Sequence, residues 1–228
     1  MADETHDIAE FRARLLAAAL PHVPFDGWSE ATFQAAAADA GIAPGLARVA
    51  CPRGAPDLAA DYHRAGDQAM LAALGTHDLA ALRFRDRVAL AIRLRLGAAD
   101  RDSVRRGMTF FAQPQNMTAG SGLLWGTADA IWRALGDNST DVNWYTKRMT
   151  LSAVYSATVL YWLGDDSDGQ AATWAFLDRR IADVMRFEKA KADFRASPWG
   201  KMLAGPLKLL DSIRAPASLP DDLPGRKG

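Results

Sequence analysis

Apolar residues recur along most of this chain with the period of an amphipathic helix. Ile8, Phe11, Leu15, Ala18 and Ala19 form one stripe, and Pro21 ends it. After a turn-rich connector, Ser29 is placed to cap a short helix carrying Thr32, Phe33, Ala36 and Ala37, which stops at Gly41. Pro44 opens another short helix through about Ala50, and a longer one is predicted from about Pro56 to Leu74. Residues 78–99 mix alternating and helical spacing. Their length, their alanines and the lack of hairpin turns favour a helix with arginines on its wet face. Further helices are predicted over Asp102–Ala112, Leu123–Leu135 and about Gly169 to Lys191, the last with Trp174, Leu177, Ile181, Val184 and Met185 on one face.

Between these lies the most informative stretch, Asp141 to Leu163. It opens on Asp141, Asn143, Trp144, Tyr145, Lys147 and Arg148, with Ser139 or Thr140 as the expected cap, and turns almost wholly apolar from Met149. The polar groups that remain there are small hydroxyls and two tyrosines, and hydroxyls bond back to the carbonyl one turn earlier. A helix apolar on every side is surrounded by other helices or by lipid. The apolar run falls short of the ~20 residues a bilayer span needs. A central buried helix is therefore expected, its aromatic first turns breaking the surface as a binding patch.

Ser197 to Arg214 forms a last organised piece: Trp199, Met202, Leu203, Leu207 and Leu210 fall on one helical stripe with lysines at its edges. Two readings stay open: the stripe docks on the body of the protein, or the helix lies in a membrane surface, which Trp and Leu on one side, Lys at the edges and low net hydrophobicity fit. The Pro-rich remainder is expected to be disordered. The domain plan read from these patterns is 1–75, a helix-turn-helix-like part; 76–193, a helical bundle; 194–214, the surface helix; and 215–228, the tail.

Composition narrows the function. Lysine plus arginine equals aspartate plus glutamate at 27 each, so no global field favours nucleic acid. Cys51 is the one cysteine, which fits a reducing compartment and a buried structural thiol. The acidic first residues resemble neither a secretory signal nor a transit peptide, so a cytoplasmic, bacterial-type protein is expected. His63 and Asp67 share a helix face and read as a surface ion pair; with no Glu-x-x-His, di-iron chemistry is not expected. Gly120-Ser-Gly122 reads as a flexible loop entering a helix, because the dinucleotide fingerprint needs a preceding strand. Asp165 to Gly169 lacks the spaced ligands of a calcium loop and reads as a helix cap. No nucleophile, base and oxyanion group is found, so no metal, no cofactor and no enzymatic activity are expected.

Trp28 to Asp57 has helix-turn-helix grammar and resembles the N-terminal unit of TetR-type repressors. Its second helix, however, offers only Arg48 to a DNA groove. A TetR-type ligand-responsive transcriptional regulator is the alternative function. Trp125 to Asp166, with its ALGD and NWYTKR blocks, strongly resembles the coenzyme Q biosynthesis protein nine family. That resemblance implies an all-α, TetR-like helical bundle with a C-terminal amphipathic helix. It implies a peripheral membrane accessory protein of ubiquinone biosynthesis on the inner membrane, binding isoprenoid quinone intermediates in an apolar pocket. A homodimer is expected and nucleic acid is not. The cargo would be presented to a demethoxyubiquinone-type ring hydroxylase. By motif match the partner surface would use Trp132, Asp141, Trp144, Tyr145 and Arg148. The lipid pocket is expected from Leu151, Val154, Tyr155, Val159, Trp162, Trp174, Leu177 and Ile181.

Overall fold

The computed structural model describes residues 2–197 and 214–215. Among them the secondary structure is helical, with α1 (Ala2–Ala19), α2 (Val23–Asp26), α3 (Glu30–Asp39), α4 (Pro44–Ala50), α5 (Ala55–Leu74), α6 (Phe84–Gly97), α7 (Arg101–Phe111), α8 (Met117–Ala134), α9 (Val142–Leu163) and α10 (Ala171–Ala196). The chain makes two compact units. One holds the described residues up to 68 together with 98–123; the other holds 69–97, 124–197 and 214–215. The dividing lines fall inside α5 and α8. The plan of 1–75 followed by 76–193 puts 98–123 with the bundle, whereas those residues cluster with the N-terminal helices. Their tie is side-chain chemistry: the Trp28 indole N–H donates to the Ser103 carbonyl at 3.2 Å, and Arg106 donates to the Pro24 carbonyl at 2.7 Å.

The first unit is built on alanine-rich helices. α1 packs on α3 and α4 through Leu15, Ala19, Phe33, Ala36 and Ala47. Ser29 caps α3, its hydroxyl accepting from the Thr32 amide at 3.2 Å. Ser29→Ala is expected to lower stability by about 1 kcal/mol, read as a shifted urea midpoint with unchanged slope. α3 ends at Gly41, which takes a left-handed φ of 62° and lets the Ile42 amide return to the Ala37 carbonyl at 2.9 Å. Arg12 grips both Asp61 oxygens at 2.8 Å, and Cys51 beside it is fully buried, its thiol pushed up to about 11 chiefly by burial.

Three differences from the sequence reading have physical causes. α8 begins at Met117, so Gly120-Ser-Gly122 is helical and not a loop. Gly120 is there for space: a Cβ on it would stand 2.7 Å from that of Phe111. α9 is capped by Asp141 and not by Ser139 or Thr140, the carboxylate accepting from the Asn143 amide at 3.0 Å. Finally, α9 is not enclosed on every side. Met149 and Leu160 are about 60% exposed, because period and apolarity name the faces of a helix without saying which ones find a neighbour. Trp199, Met202, Leu203, Leu207 and Leu210 lie outside the described residues.

Candidate functional site at the first turns of the ninth helix

Two arrangements meet on α9. The first is a charge network that joins it to α8. Arg148 is 1% exposed. Its guanidinium donates to Asp129 at 2.6 Å and Asp137 at 3.0 Å, and to the Trp144 carbonyl at 3.1 Å. Lys147 completes the cage, donating to Asp137 at 2.7 Å and to the Ser139 hydroxyl at 2.6 Å. Burial by itself would raise the Asp137 carboxyl. The bonds from Lys147, Ser139 and Arg148 outweigh it and hold the group down to about 2. Arg133 pairs with the other Asp129 oxygen at 2.8 Å. The sequence reading offered Arg148 to a partner; buried and doubly paired, it instead fixes where its neighbours stand.

Those neighbours are aromatic. Trp144 lies beneath the Arg148 guanidinium at 4.1 Å, and its ring meets Tyr145 edge-on at 4.8 Å and Trp125 at 5.6 Å. All three rings are half-buried. The Tyr145 hydroxyl donates to the Arg214 carbonyl at 3.3 Å, and the Ala215 amide donates to the Thr140 carbonyl at 2.9 Å. Backbone from residues 214–215 therefore rests against this patch. Asp141 is exposed but spends its oxygens on Asn143, at 3.0 and 2.8 Å. Trp132 donates its N–H to the Lys147 carbonyl at 3.1 Å and stacks on Phe84 at 5.4 Å, so it belongs as much to the adjoining pocket as to the patch.

That pocket is the second arrangement, a cavity of about 230 Å³ bounded by α6, α8, α9 and α10. Its greasy walls are Val88, Leu151, Val154, Ile181, Val184 and Met185, while Asn143, Thr146, Lys147 and Thr150 add polar groups. Of the residues expected around a lipid, Leu151, Val154 and Ile181 line this cavity. Tyr155, Val159, Trp162 and Leu177 are buried in the packed interior and do not line this cavity. Trp174 is also elsewhere, its N–H donating to the Gly169 carbonyl at 3.0 Å and its face 5.5 Å from Arg93. The turn before α10 is a cap, as read: Asp165 accepts from Ser167 and twice from Thr173, and these bonds hold its carboxyl well below the usual range. No cluster of three metal-ligating side chains occurs among the described residues.

This is the region that known proteins share. The family model COQ9 matches residues 117–188, from the start of α8 through most of α10. A rat ubiquinone biosynthesis protein COQ9, mitochondrial, is 30% identical over 184 residues, 77% of this chain and 59% of its own. The chain is homologous to COQ9 proteins. A probable ubiquinone biosynthesis protein coq9, mitochondrial, from Dictyostelium discoideum is 28% identical over 192 residues, 81% of this chain and 62% of its own. The chain thus spans about three fifths of the length of the COQ9 relatives it matches. The fold itself is TetR-like: a TetR transcriptional regulator from Nitrosomonas europaea superposes with a TM-score of 0.62 at 18% identity, covering 75% of this chain and 95% of that one.

Sequence reasoning missed Trp125, Asp129, Asp137 and Phe84. Asp129 and Asp137 lie inside the run that carried the resemblance. A Lys147-Arg148 pair on a helix about to be buried needs counter-charges, which was the available signal.

Proposed function

We propose that this chain is a lipid-binding accessory protein of ubiquinone biosynthesis, which shelters an isoprenoid quinone intermediate and hands it to a ring hydroxylase of the demethoxyubiquinone type at the inner-membrane surface. The observation that carries this reading is the sharing of one helix end. The apolar cavity and the Trp125–Trp144–Tyr145 patch both use the first two turns of α9, so a partner seated on the patch stands beside the cargo. The COQ9 homology supports the pathway, and Trp and Tyr clusters are what partner surfaces use as anchors. The protein's part is binding and presentation, with the chemistry left to the partner. At about 230 Å³ the cavity falls below the ~300–1,000 Å³ of pockets that enclose a drug-sized ligand. It suits the ring and the first part of a prenyl tail, with the rest lying along an apolar surface or in the bilayer. Among the described residues no helix is long and apolar enough to cross a membrane. The exposed Met149 and Leu160 on α9 suit a second copy of the chain.

Regulation of transcription is poorly supported. Arg48 on α4 is tied to Glu30 and lies 4.5 Å from the Phe33 ring, while Leu46 and the 62% exposed Val49 face outward. Such a surface has little to offer phosphates.

Native mass spectrometry of the purified full-length protein is expected to show co-purified prenylated lipid. Val184→Trp, which fills the cavity from its half-exposed wall, should remove more than nine tenths of it with a thermal midpoint close to that of the parent. Lipid content unchanged by this substitution would show that the cavity is not the carrier site.

A further inference from the structure

The cavity has a polar end and an apolar end. On α9 the residues that face it run from Asn143, Thr146 and Thr150 to Leu151 and Val154. At 1.5 Å per residue the stripe from Asn143 to Val154 is roughly 16 Å long. α10 follows α9 after a short turn and packs against it, so it runs back, bringing Ile181 to the Val154 end and Glu188 to the Asn143 end. Arg93 on α6 pairs with Asp178 on α10 at 3.2 Å, which sets the ends of α6 in the same sense. Phe84 and Arg85, at its start, therefore stand by Glu188 and Asn143, whereas Val88 lies farther in.

The polar end carries features of recognition beyond greasiness. Trp132 and Phe84 stack on each other there at 5.4 Å with an angle of 28° between rings, and both line the cavity. The Thr150 hydroxyl, on the cavity lining, has no hydrogen-bond partner among the described residues. On the same helix the Thr158 hydroxyl is bonded back to the Val154 carbonyl at 2.7 Å. Thr158 is fully buried whereas Thr150 is half-exposed, so the Thr150 hydroxyl is open to solvent and available to a bound molecule. Asn143 commits one amide N–H to Asp141 at 2.8 Å and adds further hydrogen-bonding capacity beside the aromatic pair.

We infer that the cavity holds its lipid in one direction and that Thr150 is a specificity-determining residue. An oxygen-bearing planar ring lies against Trp132 and Phe84 with a ring oxygen bonded to the Thr150 hydroxyl, and the prenyl tail runs toward Val154 and Ile181. This inference rests on the lipid-carrier reading and deepens it. The reverse orientation would bury ring oxygens among Val154, Ile181 and Val184 with nothing to bond. The orientation also has a functional consequence. The ring, where the partner's chemistry is done, ends within two turns of Trp144 and Tyr145 on α9.

Equilibrium dialysis of the full-length protein against two probes tests this. The probes are geranyl-1,4-benzoquinone and geranylbenzene, which share a tail and differ in ring oxygens. Thr150→Val, which swaps a hydroxyl for a methyl of similar size, should weaken quinone binding roughly tenfold and leave geranylbenzene unchanged. Thr150→Ser should keep the parent's preference. Val184→Trp should weaken both probes. If Thr150→Val leaves the quinone unaffected, or weakens both probes alike, while Val184→Trp weakens both, the cavity carries lipid but the orientation is wrong. If the parent binds neither probe, or Val184→Trp changes neither, the carrier reading falls and the orientation with it.

Discussion

Arg148→Met should destabilise the protein by about 3–5 kcal/mol, among the largest losses any single substitution here would produce. The side chain is nearly the volume of the one it replaces and lies in a buried site: Arg148 is 2% exposed in its side chain and Asp137 1%. Removing the guanidinium leaves Asp137 with Lys147 as its remaining cation and frees the Asp129 oxygen that it held at 2.6 Å. It also strips the cation from the face of Trp144. Chemical denaturation at pH 7 measures the loss, and a variant as stable as the parent would mean that the network contributes nothing.

Acid supplies an independent check with a definite sign. The Asp137 carboxyl sits at about 2 in the folded chain against an ordinary value of 3.8. A depressed carboxylate stabilises the folded state fully above its ordinary value, and that contribution is lost as pH falls through the folded one. The parent should therefore lose stability between about pH 4 and pH 2. In Arg148→Met, where one of the groups holding Asp137 down is gone, the loss over that window should be smaller. The two proteins thus converge as acid is added.

Much of this was legible in the chain, and what was not shares a cause. Ser29, the Gly41 stop and Pro44 mark local events settled by neighbours in sequence, and all three stand as read. α9 reads as apolar on every side and therefore enclosed, and Leu151, Val154, Val159 and Trp162 are buried while Met149 and Leu160 are not. Period does not say whether a buried face meets a side chain or a void. Tyr155 and Trp162 are packed, while Leu151 and Val154 look into the cavity, because α6 brings Phe84 and Val88 opposite the second pair. Arg148 was misplaced for a related reason. A cation in the first turns of a helix is ordinarily solvated, and only the folding of Asp129 and Asp137 onto it makes burial tolerable. Gly120 looked like a loop residue because a glycine's missing side chain is informative only once the residue it would strike, Phe111, is known.

Trp144→Ala should cost the partner complex at least 30-fold in affinity, about 2 kcal/mol, while lipid carriage persists. Truncating a central aromatic anchor has an effect of that size or more. Trp144 contacts both Trp125 and Tyr145 and lies beneath the Arg148 guanidinium, which holds it in place. The substitution also removes the ring beneath Arg148 and its contacts with Trp125 and Tyr145, so a stability loss of about 2–3 kcal/mol accompanies it. That loss is below the ~5–15 kcal/mol that holds an ordinary domain folded. The cavity is lined by Asn143, Lys147, Thr150 and Leu151 on a neighbouring face of α9, and Trp144 is not among its walls. Lipid content by native mass spectrometry should therefore match the parent's, and hydroxylase affinity by surface plasmon resonance should collapse. Loss of both together would mean that the two functions are not separable at this helix. Retention of both would place the docking surface elsewhere, and would leave the aromatic cluster as packing around a buried arginine.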